Sequence, residues 1–182
     1  MSSETQPDNR EIVATSLNGV EVYLNPSHTN MHLHIMENPE ILELVREVIE
    51  ISDISGEKIA IEKDLGRIIG TTNCVPTTRS DEIVYAKRKQ RDSYSRFVKN
   101  REPEDTRSVV VIINKVNDDF ELWSAWCGKL VPMVRDESGR LHGDKSFWAM
   151  HALVYDTDVI QLETLTTEIP VKFEKNRAPR QN

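Results

Sequence analysis

Six residues at positions 108–113, Ser-Val-Val-Val-Ile-Ile, leave the chain little choice of local structure. Branching at Cβ stiffens χ1, disfavours helix and packs well on a pleated surface. Alternating side chains of a strand point to opposite faces, and here both faces are apolar, so both need cover. The wider stretch "RSVVVIINKV", 107–116, is therefore predicted as a central strand. Asn117-Asp118-Asp119 follows it as a turn, and "FELWSAWCG", 120–128, then returns as the second strand of a hairpin.

The same texture runs from about residue 64 to 155: "DEIVYAK", "YSRFVK" and "FWAMHALVYD" are all rich in β-branched or aromatic residues. Upstream, "EIVATSLNGVEVYL" predicts a hairpin about Asn18-Gly19, a pair that tolerates positive φ. "MHLHIM", 31–36, predicts a short strand. "NPEILELVREVIEI" predicts the main helix, with Asn38 as cap, Pro39 at the first position and apolar residues Ile41, Leu42, Val45, Val48 and Ile49 at helical spacing. "KIAIEK" predicts a strand after a turn at Gly56. "VIQLETLTTEI", 159–169, fits either a strand or a short helix.

The expected fold class is α+β, with one main N-terminal helix packed on a curved antiparallel sheet of about five to seven strands. Residues 1–10 are expected to be a disordered arm, 11–171 a single domain, and 172–182 a polar basic tail. The 182-residue length suits one domain with a real core, and 38% hydrophobic content is ordinary for a globular chain. No run of about 18 apolar residues occurs, so no membrane-spanning helix is expected. The N-terminus lacks the basic and apolar regions of a secretory signal. Cys74 and Cys127 form no metal or redox motif, which fits a reduced, cytoplasmic protein. P-loop, G-x-G-x-x-G, H-E-x-x-H and nucleophile-elbow motifs are absent.

Charge is distributed unevenly. Residues 87–101 hold seven Lys or Arg against one acid, Asp92, a formal +6 in a chain of net −7. An acidic chain does not coat nucleic acid indiscriminately, but one basic strip can engage it locally. Arg88, Arg91 and Arg96 are the candidates for phosphate, because a guanidinium binds oxygens bidentately. Tyr94 and Phe97 are candidate faces for stacked bases, as is Trp126. The strip reads equally as a solvated edge strand guarded by lysine. It is predicted to be strand, turn, strand, with "KQRD" at the exposed corner.

His32 and His34 share one face of their strand, fitting an acid–base pair, a metal pair or two solvated imidazoles. No carboxylate at ligand spacing accompanies them, so no metal or other cofactor is assigned. Ser124 shares a face with Leu122 and Trp126, as a phosphate-binding hydroxyl or as packing. His151 shares a strand face with Ala149 and Leu153 if pairing is regular, as a catalytic imidazole or a core residue.

The layout of 68–154, a middle section carrying Arg and Lys and then Val109–Ile113 followed by Glu121–Gly128, resembles the barnase–EndoU–RNase-colicin–RelE superfamily of phage and toxin RNases. That resemblance implies metal-independent RNA cleavage by attack of the ribose 2′-OH. Arg88, Arg91 and Arg96 would bind phosphate, Ser124 would supply a hydroxyl, and His32, His34 and His151 would compete for the acid and base roles. It also implies tRNA or mRNA as substrate and an antitoxin or immunity protein as partner. The alternative is a non-catalytic phage or mobile-element binding module that uses 87–101 for RNA or a partner protein.

Overall fold

The structure, a computed structural model, describes residues 10–24, 39–135, 137–139 and 141–170. The predicted strand at 31–36 with His32 and His34, the Asn38 cap, positions 1–9 of the arm and the 172–182 tail all lie outside these residues. In chain order the first elements are β1 (Glu11–Thr15), β2 (Glu21–Leu24), α1 (Pro39–Glu50), β3 (Lys58–Asp64), β4 (Gly70–Thr72) and β5 (Cys74–Pro76). Next come β6 (Ile83–Lys87), β7 (Tyr94–Val98), β8 (Glu104–Thr106), β9 (Ser108–Val116) and β10 (Asp119–Cys127). The last are β11 (Met133–Arg135), β12 (Leu141–Gly143), α2 (Lys145–Met150) and β13 (His151–Val154), followed by a 3-10 turn at Leu162–Thr164.

The fold expected from sequence needs correction. Among the described residues there is no single curved antiparallel sheet under one main helix: the strands divide among four sheets, of five, two, four and two strands. The pairings of β2 with β10 and of β7 with β13 are parallel. β-Rich texture marks most of these strands, but it does not encode which strand is the partner. The segment "FWAMHALVYD" also departs from expectation. Its first half is the helix α2, because Asp144 caps it by accepting from the Ser146 amide at 3.0 Å. Ala149 is therefore helical, and only Leu153 shares a strand face with His151.

Contacts cluster into two units. The first takes in the chain up to Leu65 together with Val109–Trp126. Its sheet has the order β1-β2-β10-β9-β3, so β9 lies inside it as its two apolar faces require; Val109, Val110, Val111 and Ile113 are all buried. Two residues, Asn117 and Asp118, join β9 to β10, with Asn117 at φ 57°. The β1–β2 hairpin turns through Gly19 at φ 83°, a conformation open to glycine without steric cost. Beside it, Asn18 accepts from the Ile54 amide at 2.9 Å and donates to the Ile54 carbonyl at 2.8 Å, fastening the hairpin tip to the chain beyond α1. The helix buries Val45, Val48 and Ile49 and packs on β1, where Arg46 Nε donates to the Val13 carbonyl at 3.1 Å.

The second unit takes in Gly66–Ser108 and the chain from Cys127 onward. Its four-stranded sheet runs β5-β13-β7-β6. Side-chain alternation gives it two packed faces. Val84, Ala86, Phe97 and Leu153 face Trp148 and Ile160 on one side. Val75, Val98 and Ala152 pack on the other. The outer edge of β6 is covered by the chain itself. Tyr85 and Thr166 exchange backbone hydrogen bonds at 2.8 and 2.9 Å, and Arg88 bridges Ile160. Segment 159–169 forms a short 3-10 turn flanked by single β-bridges and no strand.

Candidate functional site

The basic strip folds as β6, a turn, and β7, in antiparallel register with Lys87 opposite Tyr94. The corner 89–92 is exposed. Alternation along β7 then sorts the candidates. Phe97 lies on the face of Leu153, while Tyr94 and Arg96 lie on the face of Val98. Tyr94 and Phe97 therefore do not form one stacking platform. The Tyr94 ring instead receives Lys87 Nζ at 5.4 Å.

Beside the turn is a cavity of about 570 Å³, within the second unit. Arg88, Lys89, Gln90 and Arg91 line it from the turn, Phe97 and Leu153 from the sheet, and Tyr155 and Val159 from the chain after β13. Three carboxylates, Glu102, Asp156 and Asp158, line it as well, so its charged side chains sum to formal neutrality. The volume suits a ligand of nucleotide size. Arg88 is half-buried, and burial together with the neighbouring Arg91 charge brings its guanidinium down to about 10. Among the described residues, the side chains of Lys89 and Arg91 make no ion pair or hydrogen bond. An anion entering here would find donors that are not already committed.

The other cations of the strip are engaged. Arg96 Nη1 donates to Thr77 Oγ1 at 2.9 Å and to the His151 carbonyl at 2.8 Å. Arg101 donates to both carboxylate oxygens of Asp81, at 2.9 and 3.1 Å. Those bonds, with the Thr78 amide, hold the Asp81 carboxyl at about 2. Lys99 lies 3.7 Å from Glu82 and over the Tyr155 ring at 5.3 Å.

His151 sits at the junction of α2 and β13. Its ring stacks on Phe147 at 3.9 Å with 2° between planes, and Nδ1 is 2.9 Å from the Phe147 carbonyl. A carbonyl only accepts, so Nδ1 carries the hydrogen and Nε2 is the basic nitrogen. Arg96 touches only the backbone of His151, and the two side chains belong to opposite sheet faces. Ser124 is buried in β10 and Trp126 half-buried there, both in the first unit, and neither lines the cavity. The structure thus brings Arg88, Arg91 and Phe97 to one cavity and leaves Arg96, Tyr94, His151, Ser124 and Trp126 away from its lining. His32 and His34 lie outside the described residues.

Sequence reasoning missed Tyr155, Glu102, Asp156 and Asp158. Asp156-Thr157-Asp158 carried a usable signal: an Asp side chain that caps its own turn, here by accepting from the Asp158 amide at 2.9 Å. Among the described residues no group of three or more His, Cys, Asp or Glu could hold a metal ion. Burial pushes the Cys74 thiol up to about 12 and raises that of Cys127, which disfavours the thiolate of each. No helix among the described residues is long and apolar enough to cross a membrane. Comparison of the chain with known protein families, with curated proteins and with solved structures found no match.

Proposed function

We propose that the protein is a non-catalytic binding module whose second unit takes a phosphate-bearing ligand of nucleotide size, free or as one unstacked nucleotide of a single strand. The observation that carries this reading is the pair Arg88 and Arg91 on the cavity wall, with Arg91 uncommitted to any carboxylate among the described residues. Two adjacent guanidiniums repel each other until an anion lies between them. The cavity carboxylates accept from ring and amino N–H groups, so an amino-bearing base such as guanine suits the other end of the ligand. Tyr155, whose ring carries Lys99 on one side, lines the same cavity. A polyanion alone fits less well, because Glu102, Asp156 and Asp158 repel a second and third phosphate. The two free thiols suit a reducing, cytoplasmic setting.

A second reading, metal-independent RNA cleavage, draws on the carbonyl-fixed tautomer of His151. One experiment separates the two. The protein is titrated with GMP, inorganic phosphate and a short single-stranded RNA in EDTA, and the RNA ends are then analysed. Saturable binding that Arg91→Ala abolishes, with the RNA intact, supports the module, and the GMP and RNA arms tell free from strand-borne nucleotide. A 2′,3′-cyclic phosphate end that disappears in His151→Ala supports the nuclease. Absence of binding to all three probes rejects the module.

A further inference from the structure

The turn that carries the two guanidiniums is not one its own sequence favours. It is closed by the Arg91 amide donating to the Arg88 carbonyl at 3.1 Å, and its third residue, Gln90, has φ 61°. Glycine or asparagine is the usual occupant of that position, because any other side chain crowds the backbone there. Coulomb repulsion between Arg88 and Arg91 opposes the turn further. Something outside "RKQR" must hold it.

The Lys89 amide donates to the Val159 carbonyl at 2.9 Å, and one side chain adds the rest of the hold. Gln161 Nε2 donates to the Arg88 carbonyl at 3.0 Å and to the Arg91 carbonyl at 3.1 Å, so its two amide hydrogens span the first and last residues of the turn. Gln161 is itself fixed from both sides. Its backbone amide donates to the Lys87 carbonyl at 2.8 Å, and its carbonyl accepts from Thr164 Oγ1 at 2.7 Å. The Thr164 hydroxyl oxygen in turn accepts from the Lys87 amide at 2.8 Å. The end of β6, the turn and the covering segment form one closed set of hydrogen bonds.

We infer that Gln161 is a positioning residue for the anion site, holding the 88–91 turn in the conformation that presents Arg88 and Arg91 to the cavity. Gln161 does not line the cavity and acts through the backbone of the two arginines. This inference rests on the binding reading given above and adds to it the device that sets the geometry of the site.

The test uses GMP and inorganic phosphate as probes and compares the wild type with Gln161→Met, Gln90→Gly, the double variant and Arg91→Ala. Methionine keeps the length of glutamine and removes both donors. Loss of the two hydrogen bonds should weaken binding by about tenfold. Glycine adopts φ 61° unaided, so in the Gln90→Gly background, which already lacks that lining side chain, Gln161→Met should cost no more than about twofold in affinity. The Arg91 amide, followed by hydrogen exchange, should lose protection in Gln161→Met and regain it in the double variant. Wild-type affinity in Gln161→Met overturns the inference and leaves the binding reading standing. So does a folded double variant that binds about tenfold more weakly than Gln90→Gly alone, since Gln161 would then act on binding other than through the turn. A wild type that binds neither probe, or an Arg91→Ala variant that binds as well as wild type, overturns the binding reading and this inference with it.

Discussion

The two ends of the basic strip use the same side chain in opposite ways. At the β7 end, Arg96 and Arg101 are satisfied from within the protein, by Thr77 and the His151 carbonyl and by Asp81. At the turn end, Arg91 lines a cavity and is committed to no acceptor among the described residues. A strand has neighbours at fixed spacing that can supply acceptors, whereas a turn tip has few. The lesson is that a run of like charges is a set of separate decisions, each made by what the rest of the chain places nearby.

The sharpest way to break this contrast is to exchange the phenotypes. Arg96→Ala removes charged hydrogen bonds that tie β7 to the start of β13 and should cost about 2 kcal/mol, lowering the melting temperature while leaving GMP binding by the folded fraction unchanged. Arg91→Ala should do the reverse, leaving stability within about 0.5 kcal/mol and weakening GMP binding by about tenfold or more. Urea titration and calorimetry measure the two quantities. If Arg96→Ala abolishes binding at full stability, the division between structural and ligand-facing cations is wrong.

The pH dependence of the Asp81–Arg101 pair sharpens the structural side. The Asp81 carboxyl lies at about 2, below its ordinary 3.8, chiefly because Arg101 and the Thr78 amide bond its charged form. A carboxyl lowered by folding contributes stability that is present in full above its unfolded value and fades as pH falls through the folded one. Melting temperature should therefore fall from about pH 4 down to about pH 2, and Asp81→Asn should flatten that part of the curve. An unchanged acid limb in Asp81→Asn would show that the pair adds nothing to folding.

What was legible in the sequence was local. The α1 helix followed from apolar spacing and Pro39, and the hairpins from Asn18-Gly19 and Asn117-Asp118-Asp119, of which Asp119 belongs to β10. The interior place of β9 followed from Val109–Ile113. What was not legible was partnership. Nothing in "YSRFVK" specifies parallel pairing of Phe97 with Leu153, and nothing in "FWAMHALVYD" outweighs the upstream cap at Asp144 that makes its first half helical. The site divides likewise. The seven cations were visible by composition, but which of them are committed depends on Thr77, Asp81 and a main-chain carbonyl brought from elsewhere. Gln161 gave no signal at all, since an amide that bonds two distant carbonyls looks like any polar loop residue.

The smallest effect compares two turns. Gln90 at φ 61° and Asn117 at φ 57° have nearly the same φ, one beside the cavity and one in the β9–β10 hairpin. Asparagine tolerates this region and glutamine much less so. Gln90→Gly should therefore raise stability by about 0.5–1 kcal/mol, and Asn117→Gly by only a few tenths. Both are read from urea midpoints. Equal gains would mean that Gln161 already removes the cost at Gln90. A loss at Gln90 would mean that its side chain makes a contact worth more than the backbone strain. Only the predicted order, Gln90 above Asn117, fits a turn held in place against its own preference so that two arginines can face one cavity.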